Sequence, residues 1–219
     1  HYVAPDADRI GEEMRLFFSW FNSSSVTRDY VKSAIVHLWF VCIHPFDDGN
    51  GRIGRAIADM ALSQADDSKM RFFSVSQQIN ADKKHYYDIL ERTQRQKDLD
   101  ITEWLLWYLD CIGKAIENAE RNYQMVVDKA AFWQNHSQMD LSARQVDVLN
   151  IYLDGYIGKL TAKNWAKLAK VSLDTASRDI KDLVVKNILT PNTNQARNVN
   201  YALIIGNGRK LDFLSDADS

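Results

Sequence analysis

The stretch His44-Pro45-Phe46-Asp47-Asp48-Gly49-Asn50-Gly51-Arg52-Ile53-Gly54-Arg55 joins the end of one apolar helical pattern to the start of another, and its reading decides the rest of the chain. Pro45 cannot continue the helix that ends near Ile43, so His44 falls at a helix-to-loop junction where its imidazole can face a cleft. Gly49, Asn50 and Gly51 permit tight or left-handed backbone and lead into a helix whose first N–H groups lack intrahelical partners, which is an anion-binding arrangement. Arg52 and Arg55 both stand in the first turns of that helix. Cations there oppose the helix dipole by about 0.3–1 kcal/mol each, and an anion such as a polyphosphate would compensate them. Asp48 is a hard oxygen ligand one residue before the cradle, suited to a magnesium ion on the same phosphates. Imidazole, which ordinarily titrates near neutrality, makes His44 the candidate general base.

Working outward, Val31 to Ile43 is apolar on nearly all sides, with Ala34, Ile35, Leu38, Trp39 and Cys42 at helical spacing, and reads as a buried helix carrying His44. A second helix, rich in alanine, is expected over Ile53 to Leu62, and a third begins at Asp82 to Glu91 with the pair Tyr86 and Tyr87. Trp104, Trp107 and Tyr108 recur at core spacing.

In order and spacing, the opening segment resembles the signature of the Fic (filamentation induced by cAMP) family, H-P-F-x-[DE]-G-N-G-R-x-x-R, at every fixed position. The resemblance covers residues 1 to about 130 and implies a helical core that transfers AMP from ATP to a hydroxyl side chain of a target protein. It implies that His44 deprotonates the hydroxyl, that Asp48 binds Mg²⁺, and that Gly49, Asn50 and Gly51 hold the α- and β-phosphates. Arg52 and Arg55 would steady the remaining phosphates, Arg55 at the γ-phosphate, with Phe46 a buried anchor for the nucleotide loop. By the same resemblance Tyr87 and Gln94 line the adenine pocket, Gln94 replacing the family's asparagine, while plain amphipathic packing is the alternative for Tyr86 and Tyr87. A kinase-like branch carries Lys where this chain has Gly51, so Gly-Asn-Gly-Arg favours AMP transfer. The family's inhibitory pattern [ST]-x-x-x-E-[GN] has its nearest counterpart at Glu117-Asn118, where Gly113 occupies the Ser/Thr position. His1 to Pro5 resembles the end of the target-docking flap, and the start there without methionine reads as an N-terminal portion left out, with Arg55 free of inhibition.

Charge divides the chain: net −5 over residues 1–140, +4 over 141–205 and −1 over 206–219. The expected domains are a catalytic core at 1–135, a winged-helix-like domain at 136–210 and an acidic tail at 211–219, giving an all-α fold with one short β-hairpin. The second domain is read as a helix at Ala143 to Leu153, a break at Gly155 and Gly158, a helix start at Thr161, and a helix capped by Ser172 and running to Lys186. Thr175, Arg178 and Lys181 would share one face of its recognition helix, with Gln195 and Arg197 in the wing. Asp174, Asp179 and Asp182 on that helix would repel phosphates, so protein docking or dimerisation ranks above DNA binding. A DNA-binding regulator with a nucleotide-sensing Fic half is the alternative function, and transfer of phosphocholine or another nucleotide a third. No run of about 18 apolar residues marks a membrane span. Cys42 and Cys111 sit in apolar helical patterns, as reduced thiols of a cytoplasmic protein would.

Overall fold

A computed structural model describes residues 4–23, 29–66, 71–96, 98–192 and 199–212. The chain forms two compact units, His1–Glu120 and Arg121–Ser219, the division falling within a 35-residue helix, α6.

In the first unit the order is α1 (Ile10–Phe21), α2 (Tyr30–Ile43), α3 (Asn50–Ala65), α4 (Val75–Ala81), α5 (Lys83–Arg95) and the start of α6 (Thr102–His136). Asp29 caps α2 by accepting the Lys32 N–H at 2.8 Å, and the helix stops where His44 turns left-handed, φ +50°, one residue before Pro45. Nearly every side of α2 is covered, as its continuous apolar run requires. Ala34, Leu38 and Val41 join Ala58 and Leu62 of α3, Ile89 of α5 and Trp104, Trp107 and Tyr108 of α6 in one core. Val36, Phe40 and Ile43 join Phe17 and Phe21 of α1 in a second. The buried Lys32 is satisfied at the end of α1: its Nζ donates to the Phe21 carbonyl at 2.7 Å and lies 4.7 Å from the Phe21 ring centre. Helices α2 and α3 pack closely because Gly54 has no side chain; a Cβ there would stand 3.3 Å from both Phe40 and Val41.

The second helix begins at Asn50, three residues before the expected Ile53, so Asn50 and Gly51 are its first turn. In the second unit α7 (Ala143–Leu153), α8 (Ala162–Ala169) and α9 (Leu173–Val185) are each started by a hydroxyl cap, Ser142, Thr161 and Ser172. The Ser142–Gln145 pair forms a full capping box. The strands β1 (Leu189–Pro191), β2 (Tyr201–Ile205) and β3 (Arg209–Leu211) follow as an antiparallel sheet in that order. Leu203 is its centre, paired with Leu189 on one side and Leu211 on the other. The third strand lies beyond the hairpin expected from the sequence and brings Leu211 out of the expected tail. The core of this second unit gathers Phe132, Val148, Leu149, Tyr152, Trp165, Ile180 and Leu203. Phe132 places the last turns of α6 in this unit, earlier in the chain than the composition shift near Asn135 suggests. The wing positions Gln195 and Arg197 lie outside the described residues.

Candidate active site

The left-handed turn at His44 sends the chain from α2 back into α3, and an amide clamp fixes the loop between them. Asn50 Oδ1 accepts the Phe46 N–H at 3.0 Å while its Nδ2 donates to the Phe46 carbonyl at 2.5 Å, with Asn50 only 3% exposed. The Asn50 side chain is therefore spent on loop structure, and only its backbone N–H remains for an anion. Phe46 itself is 49% exposed, its ring 6.4 Å from that of Phe40, so the expected buried anchor is replaced by the Asn50 clamp.

Gly49 caps α3 with φ +87°, a left-handed conformation that glycine adopts without strain. A Cβ on Gly49 would meet Arg52 Nη2 at 3.5 Å, and one on Gly51 would meet Arg55 Nη1 at 3.5 Å. The two glycines thus keep open the space between the helix N-terminus and both guanidiniums, where backbone donors and fixed positive charge converge. Asp48, its side chain 90% exposed, takes part of that role itself: Oδ1 accepts the Gly49 N–H at 2.6 Å and Oδ2 pairs with Arg52 at 3.0 Å.

His44, Gly51 and Arg55 line a cavity of about 560 Å³ whose other walls are Ala4, Val41, Tyr86, Tyr87, Leu90, Glu91 and Gln94. Five of the residues singled out from the sequence, His44, Gly51, Arg55, Tyr87 and Gln94, meet in this one space. Gln94 Nε2 donates to Cys42 Sγ at 3.5 Å, tying α5 to α2 beside it. Phe46, Asp48, Gly49, Asn50 and Arg52 form the loop and first turn adjoining the cavity and are not among its walls. Sequence reasoning missed Leu90 and Glu91, although Tyr86, Leu90 and Gln94 recur at four-residue spacing on one helix face. It missed His37 too, seven residues before His44, whose Nε2 and the Tyr86 hydroxyl share a 3.1 Å hydrogen bond. Burial and the nearby Arg55 charge hold the His37 ring neutral, its pKa lowered to about 4, and burial pushes the Tyr86 hydroxyl up to about 12. Cys111 is buried, and that burial pushes its thiol up to about 11, so it is a core residue without nucleophilic character.

Among the described residues no three His, Cys, Asp or Glu side chains gather as a metal cluster. The carboxylate that meets the start of α3 is that of Asp48, and it would be the ligand set supplied there. That set fits a magnesium ion held mainly by phosphate oxygens and water, and would not by itself hold a transition metal. No described helix is long and apolar enough to cross a membrane.

Residues 1–62 match the profile of the Fic/DOC family. A curated relative, "Probable protein adenylyltransferase" of Aquifex aeolicus, is 36% identical over 61 residues, which are 28% of this chain and 17% of that protein. The matched segment therefore spans about a sixth of the relative's length. A solved Fic family protein from Desulfovibrio desulfuricans G20 superposes with a TM-score of 0.47 at 21% identity, covering 94% of this chain and 58% of that one. The residues that match the Fic/DOC family profile hold the whole His44–Arg55 segment.

Proposed function

We propose that this protein is an adenylyltransferase that moves AMP from ATP to a Ser, Thr or Tyr hydroxyl of a target protein, itself included. The observation that carries the reading is the cavity in which a loop histidine, a glycine-lined helix N-terminus with its arginine, and an aromatic and amide wall face one another: His44, Gly51 with Arg55, and Tyr86, Tyr87 and Gln94. Its volume suits a nucleotide-sized ligand. The Fic/DOC match and the name of the Aquifex relative support the same class of chemistry.

The target oxygen attacks the α-phosphorus as His44 accepts its proton, the bond to the bridging oxygen breaks, and pyrophosphate leaves with the electron pair. The N–H groups of Gly49, Asn50 and Gly51 at the start of α3 would bind the α- and β-phosphates, Arg52 the outer oxygens and Arg55 the γ-phosphate. Asp48 would hold magnesium, which supplies neutralisation of phosphate charge when bound. For Asp48 to do so it must let go of the Gly49 N–H and Arg52. Tyr87 and Gln94 would receive the adenine, one by its ring and the other by its amide.

The test is incubation of wild-type chain and His44→Ala with ATP, magnesium and cell lysate, followed by mass spectrometry of protein-bound adenylate. Adenylate with wild type only is expected. Adenylate formed by the alanine variant at the wild-type rate would remove His44 as the base.

A further inference from the structure

His37 is 0% exposed, with neighbours on α3, α5 and α6. On α2, it lies two turns before His44. Its ring stacks on Trp104 of α6 at 5.6 Å and 8°, and sits 5.9 Å from Tyr108. Toward α3 its Nδ1 would be 3.7 Å from a Cβ on Gly54, and it has no hydrogen-bond partner of good geometry there. Toward α5 its Nε2 meets the Tyr86 hydroxyl at 3.1 Å. A phenylalanine in this volume would remove the unmatched Nδ1 but take the hydrogen bond from the buried Tyr86 hydroxyl, so what the imidazole adds to packing is that bond.

What the imidazole provides is a fixed position for Tyr86. That ring packs edge-on against Tyr87 at 5.0 Å, and both line the cavity. Arg55, on the turn after Gly51, lies close enough to act electrostatically on both His37 and Tyr86. We infer that His37 is a positioning residue of the nucleotide site, acting through its hydrogen bond to Tyr86 to hold the Tyr86–Tyr87 wall of α5 in register with Gly51 and Arg55 of α3. This inference rests on the nucleotide-binding reading of the cavity.

The test is calorimetric titration of ADP into the whole chain and its variants, with kcat and KM for ATP measured on the same proteins. His37→Phe and Tyr86→Phe each remove the shared hydrogen bond and keep an aromatic ring. Each should weaken ADP binding roughly tenfold and raise KM similarly, with kcat changed less than about twofold; the double variant should be no worse than either single one. Tyr108→Phe removes a different buried hydrogen bond in the same core, Ser33 to Tyr108 at 3.1 Å, and should lower Tm without changing ADP affinity. Wild-type ADP affinity in Tyr86→Phe would overturn the inference, and so would an equal loss in Tyr108→Phe, which would mean simple loosening of the core. Should His37→Phe fail to fold, Tyr86→Phe decides alone. A wild-type chain that binds no ADP would overturn the adenylyltransferase reading and this inference with it.

Discussion

Gly51 shows how much one missing Cβ can determine. Valine there would occupy the space beneath the Arg55 guanidinium, where even the first carbon stands 3.5 Å from Nη1. Gly51→Val should therefore cut affinity for a non-hydrolysable ATP analogue at least roughly tenfold, read by calorimetry, with the helical circular dichroism unchanged. Gly49→Val differs in kind, because φ +87° is strained for a branched residue; its expected cost is about 1–2 kcal/mol of stability, measured by denaturant unfolding. Both glycines were legible in the sequence as the turn into a helix N-terminus. The Asn50 clamp and the exposure of Phe46 were not, because a motif gives residue types in order and does not say which side chain turns inward.

At the scale of elements, α2 and α3 meet through Gly54, whose ideal Cβ already crowds Phe40 and Val41 at 3.3 Å. Gly54→Leu should destabilise by about 1–3 kcal/mol by overpacking, seen as a lower Tm, and would also shift the helix that carries Arg55. In the second unit, Asp179 of α9 is held by Arg144 of α7 through two hydrogen bonds of 2.7 and 2.8 Å and by Trp165 of α8 at 3.2 Å. The Arg144 guanidinium keeps this carboxyl below the ordinary carboxylate range. Asp179→Ala leaves an arginine and an indole N–H without their acceptor and should cost about 2–3 kcal/mol, tempered by the partial exposure of Arg144. The sequence grouped Asp174, Asp179 and Asp182 as charges that would repel phosphates, since spacing along a helix cannot tell a buried ion-paired carboxylate from a solvated one. Asp174 instead pairs with Arg178 and Asp182 with Lys186, so the face is more evenly neutralised than the count of acids implies. Capping residues made α7 to α9 readable; β3 was not, because three residues of Arg-Lys-Leu carry no strand signal until Leu203 offers a partner.

Over the whole molecule, the buried His37 couples folding to acid. Its ring, faced by Arg55, the Gly54 backbone, Tyr86, Trp104 and Tyr108, titrates near 4 in the folded chain against 6.5 when unfolded. The unfolded chain therefore takes up this proton first. Stability should fall as pH drops from about 6.5 to about 4, by about 3 kcal/mol at full extent, and this contribution should be constant outside that window. Unfolding free energies of wild type and His37→Gln across that range check it: the difference between the two curves should carry the slope. The central claim concerns which part of ATP is transferred. Parallel reactions of the wild-type chain with ATP labelled at the α- or the γ-phosphate, with magnesium and a lysate, address it most directly. The account predicts protein-bound label from the α-phosphate donor only; label carried over from the γ-phosphate would contradict it and make the cavity that of a kinase.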